Sequence, residues 1–125
     1  MLTLYPTLEE TLTLHDRLIE RFGGKNGVRD LGLLQSALAR PQSGYYESLS
    51  LQAGALLQSL ALNHAFVDGN KRVAFALTAI FLRMNRQRLA VDPDNGESFL
   101  IEKVIQEKIS LEIIAGWLEK HCKTI

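Results

Sequence analysis

Val73-Ala74-Phe75-Ala76-Leu77-Thr78-Ala79-Ile80-Phe81-Leu82 is apolar on nearly every side of a helical wheel. Bracketed by Arg72 and Arg83, the run falls well short of the roughly 20 apolar residues a bilayer span needs. It predicts a helix buried by neighbours all round, the central helix of a globular, all-α bundle.

Directly upstream stand His64-Ala65-Phe66-Val67-Asp68-Gly69-Asn70-Lys71-Arg72. Gly69-Asn70-Lys71 at the opening of that helix would aim unpaired backbone N–H groups and the positive end of the helix dipole at one point, which suits a nucleotide phosphate. Gly69 tolerates a tight turn and close approach, Asn70 can donate through its amide, and Lys71 or Arg72 can neutralise phosphoryl oxygens. Asp68 is an oxygen ligand of the kind Mg2+ takes beside phosphates, and His64 is a candidate general base for an incoming hydroxyl. Phe66, a large apolar side chain in a polar loop, reads as the anchor that fixes the loop to the core. Taken singly, these residues also fit an Asp-Gly turn with nearby cations and no ligand. Their combination favours the phosphate site.

On the N-terminal side, Thr7 with Glu10 fits a capping box, and Leu8, Leu12, His15, Ile19 and Phe22 recur at helical spacing until Gly23-Gly24, predicting a helix over 8–22. His15 on its apolar face reads as a packed histidine with one ring nitrogen satisfied rather than a catalyst. Asp30 caps a second helix through Leu38, which should end near Arg40 because Pro41 pushes its predecessor out of helical geometry. Residues 41–50 lack a helical period and read as a loop or short hairpin. On it, Tyr45 and Tyr46 either receive another chain or pack one ring onto the core. From Leu51 to about Asn63 the stripe Leu56, Leu57, Leu60 and Ala61 makes a third helix, so His64 arrives at a helix end.

Asp92-Pro93 opens a helix through Phe99, Val104 and Ile105, and Ser110 with Glu112 opens the last, carrying Ile114, Trp117 and Leu118. No stretch alternates convincingly with period two. The expectation is five or six helices in one domain spanning residues 1–125.

At 125 residues and 46% hydrophobic composition, one core is affordable and two are not. The 14 basic and 14 acidic residues cancel, which removes any global field drawing the chain to nucleic acid or an acidic membrane, so anion binding must be local. The start, Met1 to Pro6, lacks a basic region followed by an apolar run, and a cytoplasmic protein is expected. The single cysteine, Cys122, has no internal disulfide partner, in keeping with a reducing compartment, and His121-Cys122 reads as a solvated end without a metal.

The nine-residue motif resembles the signature of the Fic/Doc superfamily, His-x-Phe-x-(Asp/Glu)-(Gly/Ala)-Asn-(Gly/Lys)-Arg, and is complete from His64 to Arg72. The chain is also similar to the Doc (death-on-curing) branch, the toxins of toxin–antitoxin modules. That likeness runs through Gly23-Gly24, Gly27-Val28-Arg29-Asp30, Leu33-Leu34, Ala37 to Gln42, Phe81-Leu82 with Asn85, and Ile114-Ala115-x-Trp117-Leu118. The resemblance implies His64 as base, Asp68 as Mg2+ ligand, and Asn70, Lys71 and Arg72 as phosphate contacts. It also implies a target-docking flap where Tyr45 and Tyr46 lie.

Most Fic proteins transfer AMP from ATP, with glycine where this chain has Lys71 and a second arginine where it has Phe75. In the Doc branch ATP lies in the opposite sense, and its γ-phosphate passes to a threonine of elongation factor Tu, stalling translation. A protein kinase is thus the expected activity. An AMP transferase and a catalytically silent antitoxin-binding module are the alternatives. Leu62 and Ala76 depart from the Doc prototype, which has an arginine and a polar residue there. No glutamate is followed by glycine or asparagine, so the inhibitory (Ser/Thr)-x-x-x-Glu-(Gly/Asn) helix of many Fic proteins is missing. Restraint would then come from a separate antitoxin, through which any DNA contact would also run.

Overall fold

A computed structural model describes residues 2–125. The Thr7 hydroxyl accepts the Glu10 amide at 3.1 Å and the Glu10 carboxylate accepts the Thr7 amide at 2.9 Å, so the capping box opens α1 (Leu8–Phe22) as expected. Asp30 caps α2 (Leu31–Ala39), and Ser48 caps α3 (Leu49–Leu62), each accepting an amide of the first turn. The next helix, α4 (Asn70–Met84), departs from this pattern. Its cap is Gly69, left-handed at φ 77° and without a side chain to occupy the first N–H groups. After the short strand β1 (Gln87–Leu89), Asp92 caps α5 (Pro93–Ser98) and Ser110 caps α6 (Leu111–His121).

Several local expectations need correction. Arg40 stays right-handed at φ −54°, ψ −48°, and the chain tightens through Pro41 into a 3-10 turn, Arg40–Gln42. The clash ahead of proline disfavours the helical region without forbidding it, and Pro41 is buried where the turn packs on α3. Of the two readings of the next stretch, the loop holds and the hairpin does not: residues 43–48 are irregular. Beyond α5 the helix widens into π-type winding over Phe99–Gln106, which brings Phe99, Leu100 and Val104 to one buried side. Phe99 then stacks on Trp117 of α6, centroids 3.8 Å apart and planes 5° from parallel. The C-terminus is not a solvated end, because β2 (Cys122–Thr124) pairs antiparallel with β1, Leu89 opposite Cys122. Burial there pushes the Cys122 thiol pKa up, with Glu119 adding to the shift.

The class is all-α, with this two-stranded clip as its only sheet among the described residues. The most enclosed helix is α3 rather than α4. It lies between α4 and α6 with Leu56, Leu57, Leu60 and Ala61 in the core, and Gly54 lets α6 approach: a Cβ there would meet Leu111 Cδ1 at 3.1 Å. α4 buries Val73, Ala74, Leu77, Phe81 and Leu82 but leaves Ile80 39% exposed and Phe75 and Ala76 on a groove. Its apolar residues outnumber its buried positions, which is why the sequence overstates its enclosure. No helix among the described residues is long and apolar enough to cross a membrane.

Candidate active site

α3 ends at Asn63, and His64 turns the chain with φ 51°. Left-handed backbone at a non-glycine residue costs on the order of 1 kcal/mol or more, so the surroundings must impose it. The preceding segment does so. Arg29 donates from Nε to the His64 carbonyl at 2.6 Å and from Nη2 to the Asn63 carbonyl at 3.1 Å. The amides of Arg29 and Asp30 share the Ala65 carbonyl at 2.8 and 3.0 Å, the Val67 amide donates to the Gly27 carbonyl at 3.0 Å, and Val28 bridges Phe66.

Phe66 turns inward and is 1% exposed. The His15 ring lies over it at 3.8 Å and 8°. His15 Nε2, 2.7 Å from the Asp68 carbonyl, donates to it, so that nitrogen carries the proton. This is the packed histidine of α1 with one nitrogen satisfied. Asn70 clamps Phe66 through its backbone: its amide oxygen accepts the Phe66 N–H and its Nδ2 donates to the Phe66 carbonyl, both at 3.0 Å. One Nδ2 hydrogen remains, so the amide positions the loop first and can offer an anion only one donor.

The Asp68 carboxylate is oriented by two backbone amides, Gly69 to Oδ1 at 2.8 Å and Lys25 to Oδ2 at 3.2 Å. The Lys25 amide chiefly, then that of Gly69, holds its pKa below the usual aspartate value, with Arg72 and His15 adding to the effect. Each oxygen keeps a lone pair outward, which fits a single carboxylate ligand to Mg2+ whose other positions go to water and phosphate. Gly24 makes the space, since a Cβ there would stand 2.7 Å from Asp68 Oδ2.

His64, Asp68, Gly69, Asn70, Lys71 and Arg72 line one cleft of about 460 Å³, together with Glu97, Ile101 and Ile105. Arg72 rests its guanidinium on the Phe22 ring, 4.6 Å from the centroid, and Lys71 is exposed. The only ion pair among the described residues is Lys103–Glu107 at 2.9 Å, on the far end of the π-type helix, so both cleft cations remain unpaired. Lys71, Arg72 and Glu97 also border an adjoining groove of about 480 Å³ lined by Leu18, Phe75 and Ala76.

Tyr45 and Tyr46 do not line the cleft. Tyr45 is 82% exposed, whereas the Tyr46 hydroxyl accepts from Arg40 Nε at 2.8 Å and its ring meets Tyr45 edge-on. Sequence reasoning overlooked three contributors. Glu97 carried no signal among ordinary helix residues. Gly24 and Arg29 did: each stands in a stretch similar to the Doc branch, ahead of the motif that it supports.

The family model described as the Fic/DOC family matches residues 5–82. "Toxin Doc" of Mycolicibacterium smegmatis is 47% identical over 103 residues, covering 78% of this chain and 79% of the relative. "Protein kinase doc" of Escherichia phage P1 is 34% identical over 90 residues, covering 69% and 71%. With the loop, its buried phenylalanine and its left-handed glycine cap all inside the matched span, the chain belongs to the Fic/Doc family.

Proposed function

We propose that this protein is the toxin of a toxin–antitoxin module, a kinase that moves the γ-phosphate of ATP to a Ser or Thr hydroxyl of a translation factor, with elongation factor Tu as the target. The observation that carries this reading is the single cleft shared by His64, Asp68, Gly69, Asn70, Lys71 and Arg72. His64 takes the proton of the incoming hydroxyl as its oxygen bonds to the γ-phosphorus, while the bond from that phosphorus to the β,γ-bridging oxygen breaks and ADP leaves. The open amides behind Gly69, with Lys71 and Arg72, receive the phosphoryl oxygens. Asp68 would hold a Mg2+ ion, which when bound would neutralise charge on the phosphates.

Kinase is favoured over AMP transfer because a lysine, Lys71, stands in the cradle and Phe75 faces the adjoining groove where AMP transferases carry arginine. A relative that is 34% identical is itself described as a protein kinase, and the one at 47% as a toxin. Tyr45 is the proposed docking contact for the target, with Tyr46 holding the loop through Arg40. The partner is an antitoxin whose segment orders on binding, and the compartment is the cytoplasm.

The test is to incubate the protein with Mg2+, elongation factor Tu and ATP labelled at either the α or the γ position. Label should arrive from the γ position alone, with an added phosphate by mass spectrometry, and His64→Ala should remove it. Transfer from the α position replaces the kinase by an AMP transferase. Growth arrest unchanged by His64→Ala points to the silent binding module.

A further inference from the structure

We propose that Arg29 is the positioning residue of His64, gripping the carbonyls of Asn63 and His64 so that the imidazole leaves a left-handed backbone in one direction over the cleft. The inference rests on the reading of His64 as the base and adds a residue outside the motif.

Four observations converge on it. Both guanidinium contacts, 2.6 Å to His64 O and 3.1 Å to Asn63 O, go to backbone oxygens of the helix end that delivers the base. Arg29 has no carboxylate partner among the described residues, so its charge is committed to these carbonyls. His64 is one of three non-glycine residues with positive φ among the described residues, and its carbonyl is a direct acceptor of this side chain. The Arg29 amide also fixes the next carbonyl, Ala65 O, at 2.8 Å, so one residue controls consecutive peptides around the base.

The planar fork of arginine spans two carbonyls at once, whereas a lysine ammonium acts as a point charge. A cation near the C-terminal carbonyls of α3 would stabilise that helix whatever its shape. The two roles therefore separate on the conservative variant. If Arg29 only complements the helix end, Arg29→Lys recovers thermal stability and turnover together. If it positions His64, Arg29→Lys recovers stability and leaves turnover low.

The experiment compares the native chain with Arg29→Ala and Arg29→Lys for Tm, for kcat and KM of the transfer, and for the backbone and imidazole NMR signals of His64. Both variants should lose about 10- to 100-fold in kcat with KM for ATP unchanged, as is usual when a supporting partner is removed. His64 signals should shift or broaden, and added guanidinium should restore part of the activity of Arg29→Ala. Unmoved His64 signals overturn the proposal, as does a kcat that recovers in Arg29→Lys or never falls. Should the native chain transfer no phosphate, the proposed function fails by itself. The His64 signals then decide the positioning: displaced in both variants they support it, unmoved they sink it.

Discussion

Asp68 keeps its charge because the two oxygens of its carboxylate accept amides from different parts of the chain, Gly69 beside it and Lys25 across the loop. The Lys25 contact requires the Gly23-Gly24 segment to pass close to the carboxylate, and at Gly24 the backbone is at φ +114°. An alanine there meets two penalties: a conformation that L side chains rarely adopt, and a Cβ 2.7 Å from Asp68 Oδ2. Gly24→Ala should lose about 1–3 kcal/mol of stability through strain and turn the carboxylate from its outward set. Urea denaturation reads the first effect, and the Mg2+ concentration needed for half-maximal transfer, expected to rise, reads the second. An unchanged Mg2+ requirement would reject the role given to Gly24.

The helices owe their starts to single capping side chains, and α1 has the fullest set: Thr7 and Glu10 satisfy each other's amides. Thr7→Ala should cost about 1 kcal/mol and a few degrees of Tm, because one first-turn amide loses its acceptor. His15 and Phe22 lie two to four turns further on, so cleft chemistry should survive; a loss of transfer without loss of Tm would contradict this picture. Such caps are local, which is why the starts at Thr7, Asp30, Asp92 and Ser110 were readable from the chain alone. The motif was readable for the same reason, being nine consecutive residues. What escaped is non-local. Arg29 reaches His64 across 35 residues, His15 meets Asp68 across 53, and β1 finds β2 from Leu89 to Cys122. Strands of three residues leave no periodic trace, and the widened turns after Ser98 leave a pattern indistinguishable from a regular helix.

Across the whole molecule the net charge is zero, so acid stability is set by individual carboxylates rather than by general repulsion near neutral pH. Glu10, Asp68 and Asp92 each have a pKa lowered chiefly by a backbone amide, from Thr7, Lys25 and Asn95 respectively. A carboxylate depressed in the fold binds its proton more readily in the unfolded chain, so protons favour unfolding once the pH drops into the carboxylate range. The stability these groups contribute is fully present above their ordinary values and is lost as pH falls through the lower values of the folded state. Tm should stay flat from pH 7 to about 5 and decline below about pH 4. The triple variant Glu10→Gln, Asp68→Asn, Asp92→Asn should be less stable at pH 7 yet show a shallower acid limb, because the linked protons are gone. Asn at position 92 still accepts the capping amide, which keeps α5 in place. A limb as steep as that of the native chain would assign acid unfolding to the remaining carboxylates instead, and would leave the amide-held set as positioning devices for α1, α5 and the cleft.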